Sequence, residues 1–262
     1  MLRTRLLTAA VLLPAVGALV VFAPDWFFTI FVATAAIWGL YEVAEMTGAL
    51  HLVAIPLFAV VGGVPLFGLL YGGDVGWLVP VLVILMMLAL VARVAVAGGA
   101  HGELRSPRLV FIGAAYVGVL FPYFALLRNG PGGIGMLVLV ILLVVVSDSG
   151  AYFVGMYLGR TKLAPNVSPN KTVEGAVGGL IATMAAGLLL FQIRGGSWDA
   201  GRVLLFSAMI SLLAQLGDLA GSALKRAAGV KDSGWIFPGH GGLLDRTCSL
   251  VFAVVFAYYW SR

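Results

Sequence analysis

Charge is scarce in this chain. Only 10% of its 262 residues are Asp, Glu, Lys or Arg, whereas 61% are hydrophobic. A water-soluble domain usually carries about 25% charged residues, because its surface must be solvated. The shortage argues against a soluble globule and is typical of a chain whose helices face a lipid bilayer.

Cysteine is almost absent as well. Cys248 is the only one, so an internal disulfide is excluded and cysteine pairing says nothing about the redox compartment. The sequence also contains no G-x-x-x-x-G-K-[ST] motif, which argues against a P-loop ATPase. We find no soluble domain and no low-complexity linker between the apolar segments.

The charge that is present is mostly basic. Lys and Arg number 16 against 11 Asp and Glu, which gives a net charge of +5. In a soluble protein this excess would point to nucleic acid, but here the basic residues lie between apolar segments. We therefore expect bilayer lipids and anionic phosphates as partners, and no nucleic acid.

Long apolar segments make up most of the sequence. A membrane-spanning helix needs about 20 mostly apolar residues, and candidates lie at 6–24, 26–47, 52–72, 76–98, 108–127, 134–158, 175–193, 203–224 and 242–260. Arg3 and Arg5 precede the first segment as in a signal peptide, but no convincing cleavage site follows, so we expect a retained helix. The prediction is an all-α, polytopic integral membrane protein with about nine transmembrane helices.

The predicted helices fall into two regions, and the basic residues orient them. Residues 1–128 hold about five helices, and residues 129–262 hold the rest with two polar loops, 159–174 and 225–241. Short cytoplasmic loops are rich in Lys and Arg. A cytoplasmic N-terminus places twelve of the 16 basic residues in the cytoplasm: Arg3, Arg5, Arg93, Arg105, Arg108, Arg160, Lys162, Lys171, Lys225, Arg226, Lys231 and Arg246. Both polar loops then face the cytoplasm, where nucleotides are.

Several acidic residues lie within or beside the apolar segments, among them Asp148, Asp218 and Asp245. An ionisable side chain inside a membrane is energetically expensive, so its default interpretation is functional. The alternative is an ion pair with a nearby Lys or Arg that only joins helices.

Asp218 begins a polar stripe that continues with Ser222, Lys225 and Arg226. The spacing of four, seven and eight residues places all of them on one face of a helix. A carboxylate followed by two cations suits a metal ion and the phosphates that it bridges. Mg²⁺ prefers one or two carboxylates plus phosphate oxygens, and Asp218 and Asp245 can supply that pair from different helices.

Two polar segments are candidates for phosphate binding. Gly239, His240, Gly241 and Gly242 lie just before Asp245, and their backbone N–H groups with the following helix N-terminus suit an anion. Glycines also serve ordinary turns and helix packing, and His240 fits phosphate contact and structural support equally well. Gly178, Gly179 and Gly187 are interpreted as packing glycines.

The loop 159–174 contains three cations, and Ser168, Lys171 and Thr172 are predicted to hold the phosphates or base of a nucleotide. The alternative is an ordinary positively charged cytoplasmic loop.

Taken together, these motifs resemble the phosphatidate cytidylyltransferases, or CDP-diacylglycerol synthases. Their signature is similar to S-x-x-K-R-x4-K-D-x-G-x3-P-G-H-G-G-x-x-D-R-x-D, which this chain matches from Ser222 to Arg246. Ser147 to Phe153 and Ser168 to Gly175 match upstream motifs. The resemblance covers roughly the C-terminal 120 residues, whereas the N-terminal half matches only in hydropathy and in Tyr41-Glu42.

The resemblance implies a nine-helix fold with 129–262 as the catalytic region, CTP and phosphatidic acid as substrates, and dependence on Mg²⁺. It implies one or two ions held by Asp218 and Asp245, allows a monovalent cation and a homodimer, and points to a bacterial inner membrane. Cys248 stands where the family usually has a second Asp. Cysteine is a poor Mg²⁺ ligand, so either that Asp is not an obligatory ligand or the site is altered; we favour the first.

The implied reaction is nucleotidyl transfer, in which a phosphatidate oxygen attacks the α-phosphorus of CTP and pyrophosphate leaves. Lys225, Arg226, Lys231 and Arg246 are expected to act with the two aspartates in catalysis by holding the triphosphate and the lipid phosphate. The expected substrate-binding residues are Asp148, Ser168, Lys171, Thr172, Glu174, Ser222, Asp232, Gly239, His240, Gly241 and Gly242.

Two other functions remain as alternatives. In a CTP-dependent polyprenol or dolichol kinase, a lipid hydroxyl attacks the γ-phosphorus, and the H-G-G-x-x-D-R element argues against this. A non-catalytic, transporter-like relative predicts inverted repeats, and the two halves of the chain show no convincing similarity.

Overall fold

The computed structural model describes residues 14–48, 107–194, 198–236 and 241–262. The predicted helices 52–72 and 76–98 lie outside the described residues, as do the start of segment 6–24 and the residues Gly239 and His240. The count of about nine helices therefore stays a prediction.

The described residues form two compact units. The first contains the described parts of 1–129 and of Leu224–Arg246. Its helices are α1 (14–22), α2 (Asp25–Thr47), α3 (Pro107–Leu120) and α4 (Pro122–Arg128). Helix α2 ends at Gly48, whose φ of 72° is the left-handed conformation that glycine adopts most readily at a helix end.

The predicted single helix 108–127 is broken in the structure. Phe121 separates α3 from α4, and Pro122 occupies the first turn of α4. Proline has no backbone N–H and cannot continue a helix without losing a hydrogen bond, whereas it is favoured at a helix start. Phe121 itself keeps helical dihedrals, with φ −62° and ψ −39°, and donates its N–H to Val117 O at 3.1 Å, so the interruption is local and the predicted segment is helical on both sides of it.

Arg128 joins three helices within the first unit. It is 2% exposed, and its guanidinium donates to the backbone oxygens of Val20 and Ala23 and to Asp25. The guanidinium carbon also lies 5.1 Å from the centre of the Phe28 ring. Arg128 therefore satisfies carbonyls at the end of α1 that no helical partner can reach.

The second unit contains Gly130–Ala223 and Thr247–Arg262. Its elements are α5 (Gly133–Leu158), β1 (Lys162–Ala164), β2 (Ser168–Thr172) and α6 (Val173–Arg194), with most of α7 (Ala200–Ala227) and α8 (Leu244–Trp260). The strands pair antiparallel, with Lys162 opposite Thr172 and Ala164 opposite Ser168. The loop predicted at 159–174 is thus a short β-hairpin.

Glycines and small polar residues mediate the helix contacts of this unit. A Cβ at Gly178 would overlap the Val154 side chain, and one at Gly187 would overlap Ser207, so their predicted role in packing is confirmed. The hydroxyls of Ser147 and Ser211, both fully buried, lie 2.8 Å apart. Close backbone approach and hydroxyl pairs are how helices associate within lipid.

Four of the described helices are long and apolar enough to cross a membrane: Asp25–Thr47, Gly133–Leu158, Val173–Ile193 and Ala200–Ala227. Together with the low charge, they make this chain a mainly helical membrane protein, as the sequence predicts.

Candidate active site

The candidate site residues of the first unit gather where α7 ends and α8 begins. Helix α7 ends at Ala227, and Gly229, which has a φ of 72°, turns the chain away from it. The N–H groups of Gly229 and Val230 donate to the carbonyl oxygens of Arg226 and Lys225, respectively. This is the double hydrogen-bond pattern of a Schellman motif. Lys225, in the last turn, forms an ion pair with Asp245 in the first turn of α8.

Asp245 is tightly held by the protein. Its side chain is 7% exposed. Its Oδ1 accepts a hydrogen bond from Lys225 Nζ. Its Oδ2 accepts the N–H groups of Ser233 and Gly242, each at 2.9 Å, and lies 3.1 Å from the Ser233 hydroxyl. Both oxygens of this predicted metal ligand are therefore engaged by the chain itself.

Glu42 is a member of this cluster to which the sequence analysis assigned no role, although Tyr41-Glu42 was part of the resemblance. It is 1% exposed. Its Oε1 accepts the N–H of Leu243 at 2.7 Å, and its Oε2 accepts the N–H of Leu244 at 3.0 Å and the hydroxyl of Ser233 at 2.8 Å. The signal was an acid inside an apolar segment, the same signal that singled out Asp148.

The glycines before α8 make room for these carboxylates. A Cβ at Gly242 would lie 2.5 Å and 2.6 Å from the two oxygens of Glu42, and one at Gly234 would lie 2.8 Å from the nearer oxygen. Gly241 has a φ of 81°, which disfavours other residues. In the described part of this segment the glycines thus approach protein carboxylates, and binding of a phosphate by Gly241 or Gly242 stays a prediction.

A second cluster lies within the second unit. Lys171, in β2, places its Nζ 2.5 Å from Oδ2 of Asp218 on α7. The side chains of Lys171 and Asp218 are 26% and 41% exposed. Asp148 on α5 interacts electrostatically with both and accepts a hydrogen bond from the Ser249 side chain. Three of the predicted site residues therefore come together here.

The other predicted residues of the hairpin have structural contacts. The Thr172 hydroxyl accepts the N–H of Gly175 at 3.1 Å, which caps the start of α6. The Glu174 carboxylate accepts the N–H groups of Arg160 and Thr161, each at 3.1 Å. These bonds fix the hairpin to α6 and so place Lys171; direct contact of Thr172 or Glu174 with a nucleotide stays a prediction.

The remaining predicted residues border the two clusters. Four of them are exposed in the first unit, namely Arg226, Lys231, Asp232 and Arg246, whereas Ser222 and Ser168 are partly buried in the second. The predicted sharing of one metal by Asp218 and Asp245 joins residues of different units and stays a prediction.

The donor chemistry of these residues fits Mg²⁺. Within the described ranges no group of three or more His, Cys, Asp and Glu side chains forms a metal cage. Mg²⁺ is commonly held by only one or two carboxylates, with substrate phosphates and water completing its shell. Asp218 offers such an oxygen donor with 41% of its side chain exposed.

Cys248 is part of a helix contact. It is 4% exposed, and a Cβ placed at Gly221 would overlap its Sγ, while one at Gly217 would overlap its backbone oxygen. Position 248 therefore packs α8 directly against α7, on either side of Asp218. The interpretation that an Asp at this position is not an obligatory metal ligand stays a prediction.

Each unit therefore contains one lysine–carboxylate pair, Lys225–Asp245 in the first and Lys171–Asp218 in the second, in a chain whose long apolar helices can cross a membrane. The model of the cytidylyltransferase family matches residues 3–262, so the chain belongs to that family.

Several curated proteins are similar to part of this chain. The phosphatidate cytidylyltransferase of Bacillus subtilis (strain 168) is 42% identical over 151 residues, which cover 57% of this chain and 56% of the relative. Those of Staphylococcus haemolyticus (strain JCSC1435) and Staphylococcus saprophyticus are 42% and 43% identical over 140 residues, or 53% of each chain. The chain thus spans about half the length of the curated relatives it matches.

Proposed function

We propose that this chain is a membrane nucleotidyltransferase that joins CTP to phosphatidic acid and produces CDP-diacylglycerol and pyrophosphate. The observation that carries the proposal is the family match over residues 3–262. The names of the similar proteins supply the lipid substrate. The two lysine–carboxylate pairs are compatible with binding of a polyphosphate.

In the proposed reaction an oxygen of the phosphatidate phosphate attacks the α-phosphorus of CTP in line. A new P–O bond forms, and the bond from the α-phosphorus to the oxygen bridging to the β-phosphorus breaks. The electron pair of the broken bond leaves with pyrophosphate. Because the attacking phosphate is already anionic, the protein has to supply positioning and charge neutralisation and no strong base.

Asp218 and Asp245 are the residues proposed to hold one or two Mg²⁺ ions, which when bound neutralise charge on the phosphate oxygens. Lys171 and Lys225 each lie against one of these aspartates, so they bring positive charge to the same places. An ammonium at such a place binds a phosphate oxygen as a point charge.

Exposed cations are proposed to complete the phosphate site. Arg226, Lys231 and Arg246 have exposed side chains in the first unit, where they can reach the triphosphate and the lipid phosphate. Asp148, Ser168, Thr172 and the hairpin that holds Lys171 are proposed to shape the nucleotide side.

The lipid is proposed to enter from the cytoplasmic leaflet of a bacterial inner membrane, with the N-terminus in the cytoplasm. Single cysteines test this orientation, because Cys248 is buried. A membrane-impermeant maleimide should label Lys231→Cys only from the cytoplasmic side and Asp199→Cys only from the opposite side. Labelling of both from one side would overturn the topology. A homodimer stays a prediction.

The function is tested by following label from CTP. Protein purified in detergent is mixed with phosphatidic acid, Mg²⁺ and CTP labelled at the α-phosphate, and label in the lipid is measured. Asp218→Asn and Asp245→Asn are compared with Asp199→Asn, which changes an exposed acid just before the other end of α7.

We expect labelled lipid from the wild-type protein and from Asp199→Asn, strongly reduced labelling from the other two variants, and loss of all labelling with EDTA. Well-folded wild-type protein that yields no labelled lipid would overturn the proposal. Transfer of label from the γ-phosphate instead would establish the lipid kinase alternative.

A further inference from the structure

Glu42 lies in the C-terminal part of the apolar helix α2, yet its polar contacts are with a distant part of the chain. The carboxylate accepts hydrogen bonds from Ser233, Leu243 and Leu244, which are 191 to 202 residues away. A buried carboxylate is tolerated only when its oxygens are hydrogen-bonded. These three bonds are therefore the reason that an acid is stable at this position.

Two of the bonds fix the start of α8. The first N–H groups of a helix have no partner within the helix, and they carry the positive end of its dipole. Leu243 and Leu244 donate these groups to Glu42. Helix α2 therefore determines where α8 begins, and Asp245 is the next residue along.

The third bond links Glu42 to Asp245. The hydroxyl oxygen of Ser233 lies 2.8 Å from Oε2 of Glu42 and 3.1 Å from Oδ2 of Asp245. A hydroxyl has one hydrogen to donate, so it serves one carboxylate at a time, and Glu42 is the nearer acceptor. Ser233 also donates its backbone N–H to Asp245, so a displacement of Ser233 is passed directly to that carboxylate.

We propose that Glu42 is a positioning residue for the reaction: it holds Ser233 and the first turn of α8 so that the Asp245 carboxylate keeps a fixed direction. The inference rests on the proposed function, in which Asp245 acts at the phosphates. Glu42 itself touches no substrate in this scheme.

Glu42→Gln is the direct perturbation. The amide has the same shape but only one acceptor oxygen, and its NH₂ group must face either Leu243 N–H or Leu244 N–H, which are donors themselves. Glu45→Gln is the matched control, because Glu45 lies on the same helix and is exposed. Ser233→Ala removes only the hydroxyl shared by the two carboxylates.

Two measurements are made on each full-length variant in detergent. The first is kcat and KM for CTP in the lipid-labelling assay. The second is amide hydrogen exchange of peptides covering 241–246, which reports the start of α8 without reference to activity.

For Glu42→Gln we expect kcat to fall roughly 10–100-fold, the usual effect of losing a group that orients a ligand side chain, with KM for CTP within about threefold. Exchange at 241–246 should quicken by about fivefold or more, as for loss of a hydrogen bond. Ser233→Ala should lower kcat by a smaller factor, and Glu45→Gln should match the wild type. Because the substitutions share one network, the double variant should be little worse than Glu42→Gln.

The results that would overturn the inference are as follows. Wild-type kcat in Glu42→Gln overturns the inference, and so does a fall in kcat with unchanged exchange at 241–246 or with faster exchange throughout the protein. If Glu42→Gln does not fold, Ser233→Ala decides: a wild-type kcat overturns the inference. If the wild-type protein labels no lipid, the proposed function fails, while the exchange data still establish or refute the hold of Glu42 on α8.

Discussion

Alanine at Gly217 or Gly221 should push α7 away from α8, and the two substitutions should respond differently to a second change at Cys248. At Gly221 the new Cβ would overlap Cys248 Sγ and lie 2.9 Å from its Cβ. At Gly217 it would overlap the backbone oxygen of Cys248. Carbon atoms normally pack at about 3.5–4.0 Å, so both glycines are required by close approach.

The loss of stability in each alanine variant depends on whether a side chain or the backbone must move to admit the new Cβ. Overpacking costs about 1–3 kcal/mol, and alanine returns up to about 1 kcal/mol of helix propensity. We expect a net loss of about 1 kcal/mol for Gly221→Ala, whose obstacle is a side chain. For Gly217→Ala, whose obstacle is backbone, the upper end of the same range gives a net loss of about 2 kcal/mol.

The assay is thermal unfolding in detergent, with each double variant compared with Cys248→Ala alone. At about 2–4 °C per kcal/mol, Gly221→Ala should lower Tm by about 3 °C and Gly217→Ala by about 6 °C. Removing Sγ should restore at least half of the loss at Gly221 and none of the loss at Gly217. Since Asp218 follows Gly217, the latter variant should also lose the proposed transferase activity. Equal rescue of both variants, or rescue of Gly217→Ala alone, would refute this account of the contact.

Three further predictions concern single contacts of the structure. Arg128→Met should destabilise the protein by about 3 kcal/mol, because it leaves two backbone carbonyls near the end of α1 without a donor. Asp25→Asn should cost only about 0–1 kcal/mol, because that side chain is 71% exposed. Equal shifts in Tm for the two variants would contradict this. Thr172→Val should cost about 1 kcal/mol through the lost cap of α6 and raise KM for CTP, and a wild-type KM would show that the hairpin does not place the nucleotide site. Ser147→Ala should cost about 0.6 kcal/mol through its bond to Ser211 with unchanged kcat, and a large loss of activity would indicate a role beyond packing.

Helix positions in the described ranges were largely predictable from hydropathy. The predicted segments 26–47, 134–158 and 175–193 correspond to Asp25–Thr47, Gly133–Leu158 and Val173–Arg194. The apolar runs end at charges, glycines and prolines, which are the residues that end helices or leave the membrane. The break at Pro122 was missed because a window averaged over about 20 residues does not resolve one residue.

The hairpin was missed for a different reason. Its strands of three and five residues contain Pro169 and polar side chains, and a two-stranded sheet leaves its outer edges free of the pairing that proline would disrupt. Such a strand has little local signal, and its pairing depends on the Glu174 and Thr172 bonds at the start of α6.

The site was predictable only in part, since sequence spacing reports neighbours along a helix. The lysine opposite Asp218 comes from β2, and the acid beside Ser233 comes from α2. Glu42 and Leu243 are 201 residues apart, so no local pattern predicts their contact. An expensive charge in an apolar helix marks a residue as important, but its partner is visible only in the fold.

Helix α7 has 28 residues, which at 1.5 Å per residue is roughly 42 Å of helix. A bilayer has a hydrocarbon core of about 30 Å, so a helix of this length must tilt or extend beyond the core. Bilayer thickness therefore becomes a variable that sets the depth of Asp218. Under the proposed function and topology, lipids with longer chains should draw that carboxylate toward the hydrocarbon, and lipids with shorter chains should release it into the headgroup layer. The rate of the proposed reaction should then depend on the acyl composition of the surrounding membrane.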